Sequence, residues 1–318
     1  MTGSASDRWV RPGVILVATD LHDLSRMMPF AVEQAIETGA RLILLHVLAS
    51  ASSISTDAAG LPYYDCGGAV ECADRALMPW CDYARQQGVK CDALVREGIP
   101  AQQVVAAPRQ FQADRVLIGT RSRGKLSKLL AGSVAEQVLR SVYLPVMTVG
   151  PEAHLPVDSG HDRVVLYATT LRETSRPSAA LACQIAAQQG ARLVLLHVMT
   201  PKNGYAATES HEIAAARDAA VAEEMRKLAA DTSSGFCGCV EPVVVHGNPT
   251  IEILAKADEL NASLVVLGAT DRSALGNLTR DRTVYQVLAH SRCPVLTLRE
   301  VTGGQVETLA EPAEAMHH

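Results

Sequence analysis

The sequence predicts an α/β protein made of two tandem doubly wound, Rossmann-like parallel-sheet domains related by duplication. Three observations predict it. The chain repeats itself at a near-constant offset, short β-branched apolar runs alternate with helical patterns, and those runs are too apolar to face water on either side.

The repeat comes first. ETGARLILLHVLAS at 37–50 returns as QQGARLVLLHVMTP at 188–201, an offset of 151. GVILVATDLHDLS at 13–25 returns as RVVLYATTLRETS at 163–175, ADRVLIGT at 113–120 as ASLVVLGA at 262–269, and LPVMTV at 144–149 as CPVLTL at 293–298. Four blocks in the same order mark a tandem duplication, and each copy has the size of one domain. Domains are expected over 1–150 and 161–300, joined by the polar GPEAHLPVDSGHD, with a flexible tail over 301–318.

Within the first copy VILVAT reads as a buried strand, and SRMMPFAVEQAIETG as a helix closing at Gly39. RLILLHV is a second buried strand. AVECADRALMPWCDYARQQG is a helix with Gly88 past its end and a bend at Pro79. VKCDALVREG is a strand, PAQQVVAAPRQFQ a helix, RVLIGT a strand, SVAEQVLRSV a helix and PVMTVG the last strand. The closing strands LPVMTVG and CPVLTLRE are apolar and uncovered by any later element of their own copy. An exposed apolar edge needs a partner, so the copies are expected to pair through them as an intramolecular pseudo-dimer.

Composition narrows the function classes. The 318 residues are 48% hydrophobic and 20% charged, enough for a full core in each half. A net charge of −5 gives no basic footprint for nucleic acid. No apolar run reaches membrane-spanning length, and MTGSASDRWVRPG has no apolar signal core, so the chain reads as cytoplasmic. The eight cysteines include no C-x-x-C and no common zinc spacing, which favours structural or incidental thiols over a metal site.

Parallel α/β sheets bind ligands beyond the carboxyl ends of their strands, where strand order reverses. The first copy places Asp20, His46 with Val47, Gly98 and Gly119 at such ends. A turn or helix-cap role is the plain alternative for Asp20, and a packed strand end for His46. GTRSRGKLSKLLAGS at 119–133 nearly spells a Walker A loop, but Leu126 stands where a magnesium-binding Ser or Thr belongs. The helix also begins later, at Ser133, whose S-x-x-E spacing to Glu136 forms a capping box. Free backbone N–H groups at that helix start attract an anion.

These residues resemble the ATP-binding branch of the universal stress protein family, whose motif is G-x-x-G, nine residues, then G-[ST]. Gly119 opens it here, Ser122 stands at the second glycine, and Gly132-Ser133 closes it. ILVATD in the first copy, LLHV in both and CPVLTL in the second extend the resemblance over both copies. The resemblance implies ATP or another adenine nucleotide, with magnesium able to bridge its phosphates. Asp20 and Val47 would hold the adenine and ribose side. Gly119, Ser122, Gly124, Gly132, Ser133 and Val134 would line the phosphate side.

The second copy departs at the same positions. Thr170 replaces Asp20, Asp271 replaces Ser122, Asp281 replaces Gly132 and Arg282 replaces Ser133. An aspartate where a phosphate lies repels it. The expected function is a stress-response protein that binds a nucleotide in its N-terminal domain without fast turnover. A nucleotide-free module acting through a protein partner or a homodimer, and a slow ATPase, are the alternatives. An adenylating pyrophosphatase would carry S-G-G-x-D-S in the first strand–helix turn, and ATDLHDLS lacks it.

Overall fold

The computed structural model describes residues 5–49, 66–120, 133–155, 163–200, 211–234, 238–270 and 281–300. The first half runs α1 (Ala5–Val10), β1 (Val14–Thr19), α2 (Leu24–Thr38), β2 (Arg41–Ala49), α3 (Cys66–Gln86), β3 (Cys91–Gly98), α4 (Pro100–Phe111), β4 (Arg115–Gly119), α5 (Ser133–Ser141) and β5 (Val146–Val149). The second runs β6 (Val164–Ala168), α6 (Ser175–Gln188), β7 (Arg192–Met199), α7 (His211–Ser233), β8 (Val240–His246), α8 (Pro249–Glu259), β9 (Leu264–Thr270), α9 (Asp281–His290) and β10 (Val295–Glu300). Every strand and helix read from the first copy is present. Gly39 ends α2 at φ 75, a left-handed cap natural to glycine, and donates its N–H to the Ala35 carbonyl. Helix α1 was not legible in the polar N-terminal stretch. It is held from outside, because Trp9 packs against the core and its carbonyl accepts a 2.7 Å bond from Arg115.

All ten strands form one sheet, in the order β3-β2-β1-β4-β5-β10-β9-β6-β7-β8. Pairing is parallel within each half and antiparallel at the centre, where Val295, Leu296 and Thr297 face Thr148, Met147 and Val146. The two closing strands are thus each other's partner, as their apolar edges require. Order reverses between β1 and β4 in the first half, and between β6 and β9 in the second. These are the two switch points.

The sheet is buried on both faces. On one, α2, α3, α6 and α7 share a single core that crosses the seam, from Met27 and Leu77 through Met147 to Tyr167 and Met225. On the other, α4 and α5 cover one cluster around Val138, while α8 and α9 cover a second around Val287, and Leu139 touches both. Polar contacts also cross the seam. Arg163 at the start of β6 reaches Glu33 at 2.7 Å and pairs with Glu37, both on α2. Burial and the neighbouring Glu37 push the Glu33 carboxyl upward, against the pull of Arg163. The Arg299 guanidinium lies 4.2 Å from the Tyr143 ring centroid and donates to the Arg140 carbonyl at 2.7 Å.

Gly150 follows β5, and an added Cβ would lie 2.7 Å from the Leu288 carbonyl oxygen, which is backbone and cannot swing aside. Gly150→Ala is expected to cost about 1–3 kcal/mol by overpacking the seam. Urea unfolding followed by circular dichroism checks this. Because one core spans both halves, wild type and variant should each unfold in a single transition. Two resolved transitions would show the halves to be independent.

Candidate functional site

The site is built where β1 and β4 end side by side. Thr19 pairs with His46, and Ala18 pairs with both Leu45 and Ile118. One residue further along each strand, Asp20, Val47 and Thr120 share a level, with Gly119 one step beneath. The structure therefore brings Asp20, Val47 and Gly119 to the mouth of the first switch point. Ser133 and Val134 open α5. Ser122, Gly124 and Gly132 lie outside the described residues, as do Asp271, the linker centre 156–162 and the tail 301–318. Glu136, read as the capping-box acid, forms a 2.7 Å ion pair with Arg140 one turn on.

The turn after β1 is locally strained and locally satisfied. Leu21 sits at φ 74, in the left-handed region that a leucine rarely adopts. The Thr19 hydroxyl holds it there by accepting the Leu21 N–H at 2.9 Å. Asp20 makes the adjoining turn, with Oδ1 accepting the His22 N–H at 3.0 Å. Its side chain stays 42% exposed, so the carboxylate is at the rim. His46 lies within β2, which runs on to Ala49 past the strand end read at His46 and Val47, and its Nδ1 sits 2.9 Å from the Thr19 carbonyl oxygen of the neighbouring strand.

Beneath this turn lies Asp23, which begins α2 and is 6% exposed. The Thr19 hydroxyl donates to its Oδ1 at 2.7 Å. Burial pushes the Asp23 carboxyl above the ordinary aspartate range, Thr19 pulls against this, and the nearby Asp20 adds to the rise. A Cβ on Gly119 would lie 2.1 Å from Asp23 Oδ2 and 2.8 Å from Met27 Sδ. The missing side chain at Gly119 is therefore required by the Asp23 carboxyl, whatever the following loop binds.

Two further polar groups at this mouth were missed in the sequence. Thr120 is 1% exposed, and its Oγ1 has no hydrogen-bond partner among the described residues. Arg26 reaches the Thr120 carbonyl at 3.3 Å through one terminal nitrogen, while its buried Nε has no partner among the described residues. A lone Thr after a strand and an Arg in a helix carry no sequence signal of this kind. Among the described residues no group of three metal-ligating side chains exists, and no helix is long and apolar enough to cross a membrane.

The second switch point keeps the frame and changes the chemistry. Leu171 repeats the left-handed turn at φ 57, with the Thr169 hydroxyl accepting its N–H at 3.1 Å. His197 Nδ1 repeats the 2.9 Å contact to the Thr169 carbonyl. In place of Asp20, buried Asp23 and Thr120 stand Thr170, exposed Glu173 and Ala269.

Two outcomes are expected from the Asp23 geometry. Gly119→Ala should cost about 1–3 kcal/mol, and Asp23→Ser in the same chain should recover part of it. Additive losses in urea unfolding would break this coupling. The second outcome concerns pH. Folded Asp23 holds its proton above the unfolded value of about 3.9, so the folded state binds more protons between the two values. Its contribution is full below the unfolded value and is lost as pH rises through the folded one. Asp23→Asn keeps an acceptor for Thr19 without the charge. Its urea midpoint should gain on wild type as pH rises from about 4 and then level off. Parallel curves would refute a raised Asp23.

Comparison with known proteins agrees with this architecture. The universal stress protein family model matches residues 13–150 and again 163–299. A universal stress protein of Methanocaldococcus jannaschii is 29% identical over 136 residues, covering 42% of this chain and 80% of that protein. One from Mycobacterium tuberculosis is 26% identical over 194 residues, and the match spans 59% of this chain and 63% of the relative. The crystal structure of a universal stress protein from Archaeoglobus fulgidus shares the fold, with a TM-score of 0.66 at 20% identity over 92% of this chain and 97% of that one. The duplicated halves, the shared ten-stranded sheet and the two family matches lead to one conclusion: this chain belongs to the universal stress protein family, with two of its domains in tandem.

Proposed function

We propose that the N-terminal domain binds an adenine nucleotide, with ATP the expected ligand, at the switch point between β1 and β4. One observation carries the reading. The Thr120 hydroxyl and Arg26 Nε, without partners among the described residues, are buried at the same mouth as the half-exposed Asp20 carboxylate and Val47. An unpaired buried polar group costs about 1–3 kcal/mol, and a polar ligand seated there relieves that cost. The residues thus fit a nucleotide. Asp20 and Val47 would take the adenine and ribose side. Gly119, Ser122, Gly124, Gly132, Ser133 and Val134 would line the phosphates, with the start of α5 supplying backbone N–H groups. Magnesium would bridge phosphate oxygens, and the protein need not supply it a ligand.

The second domain is expected to leave this site unused. Ala269 removes the hydroxyl, Thr170 removes the rim carboxylate, and Asp271 and Asp281 bring negative charge to the phosphate positions. The proposed role is a binding module that does not turn ATP over quickly. Residues 119–133 offer Arg121, Arg123, Lys125 and Lys128, which stabilise charge, but no Asp, Glu or His to take a proton. The Asp23 carboxyl is committed to Thr19 and packed on Gly119. That same packing favours a second reading. Gly119 has a structural reason to be glycine, so a nucleotide-free module acting through protein contacts is the alternative.

Isothermal titration of the full chain with ATP separates the readings. One site per chain is expected, lost in Gly132→Asp, which imports the second domain's residue. Two equivalent sites would refute the asymmetry, and no heat at all would favour the nucleotide-free module. Single-turnover assays should show hydrolysis slower than the ordinary enzyme range of about one per second. Faster turnover abolished by Asp23→Asn would show Asp23 to be a catalytic base.

A further inference from the structure

Cys81 and Cys91 form a pair that neither the fold nor the nucleotide proposal uses. Cys81 lies on α3 and Cys91 opens β3, the edge strand of the first half. Both are buried, at 0% and 3% exposure, and both are free thiols. The Cys91 thiol donates to Cys81 Sγ across 3.2 Å. The two sulfurs are in contact without being bonded, and closing to a disulfide length of about 2.05 Å needs a shift of about 1 Å. The remaining described cysteines differ. Cys72 and Cys239 are exposed, while Cys183 and Cys293 are buried without a second thiol beside them among the described residues.

We propose that Cys81 and Cys91 are a modification site, a dithiol that a hydroperoxide oxidises to an intramolecular disulfide and a dithiol reductant restores. The polarity of the pair assigns the roles. Cys91 donates its hydrogen, which holds the Cys81 thiol below its ordinary range against the opposing effect of burial, and the Arg85 guanidinium adds to this while Asp92 and Asp82 oppose it. Arg85 is anchored over the pair by a 2.7 Å bond to the Cys91 carbonyl. The Cys81 thiolate attacks a peroxide oxygen, the O–O bond breaks, and the departing hydroxide takes up the proton that Cys81 released. This leaves a sulfenic acid at Cys81 and one water from hydrogen peroxide. Cys91 sulfur then attacks the sulfenic sulfur. The S–S bond forms, the S–O bond breaks, and the hydroxide leaves with the Cys91 proton as a second water. Two electrons pass from the two thiols to one peroxide.

The disulfide would staple the last turns of α3 to the first residue of the edge strand. This end of β3 is its amino end, opposite the strand ends that hold Asp20 and Gly119, so the inference stands apart from nucleotide binding. Access is governed by local opening at the edge of the sheet, and a small oxidant suits that better than a protein disulfide.

The test treats the reduced full chain with hydrogen peroxide, blocks remaining thiols and maps tryptic peptides without reductant. Arg85 and Lys90 lie between the two cysteines, so cleavage separates them unless a disulfide joins them. The expected product is a Cys81–Cys91 cross-linked peptide two hydrogens lighter than its parts, lost on treatment with dithiothreitol. Cys91→Ser should abolish the cross-link and leave a sulfenic acid at Cys81 that dimedone traps. Oxidation confined to Cys72 and Cys239, with Cys81 and Cys91 recovered as free thiols, would overturn the proposal. So would pairing of either one with a different cysteine. Mapping of the wild-type chain is decisive even where the serine variant fails to fold.

Discussion

The structure depends on three antiparallel residue pairs. Val295, Leu296 and Thr297 meet Thr148, Met147 and Val146, and this short ladder turns two five-stranded sheets into one of ten. Without it each half would end in an apolar strand with unpaired backbone groups, a template for aggregation. With it, the exposed edges move to β3 and β8, which carry charged residues and, in β8, Pro242, features that resist further pairing. The same junction lets one core run across the seam on the α2 and α6 face. It also brings Arg163 within reach of Glu33 and Glu37, so the halves are joined by charge as well as by apolar packing.

Each half positions a crevice in the same way, and the repeated details show which parts are scaffold. A Thr hydroxyl holds a leucine in the left-handed region, and a His of the neighbouring strand contacts the Thr carbonyl. Both devices survive in the two copies, so they serve the turn rather than a ligand. The groups that differ are those with chemistry to offer: Asp20 against Thr170, Asp23 against Glu173, Thr120 against Ala269. A duplicated fold thus separates, within one chain, the residues that build the corner from those available for binding.

Asp23 shows how a structural group and a ligand group compete for one place. Its carboxyl is drawn under the strand-end turn by Thr19 and fills the space a Gly119 side chain would need. Burial disfavours its charge, which reduces the repulsion it would exert on an anion nearby. A carboxyl whose ionisation is disfavoured by burial repels an anion less than an exposed one would.

The sequence by itself determined the duplication, the alternation of strands and helices and the pairing of the closing strands. Periodicity and repetition are properties of residue order, and the apolar edge of PVMTVG and CPVLTL demands a partner wherever it lies. Order also placed Asp20 and Gly119 at strand ends, while Val47 lies two residues inside the end of β2. What order could not show was distance between residues far apart in the chain. The burial of Asp23 against Gly119 and the docking of α1 through the Trp9 carbonyl on buried Arg115 each join separate elements. So does the 3.2 Å approach of Cys81 to Cys91, which cysteine spacing alone read as incidental. These contacts follow from how helices settle on a twisted sheet, and only the packed tertiary structure decides which side chains then meet.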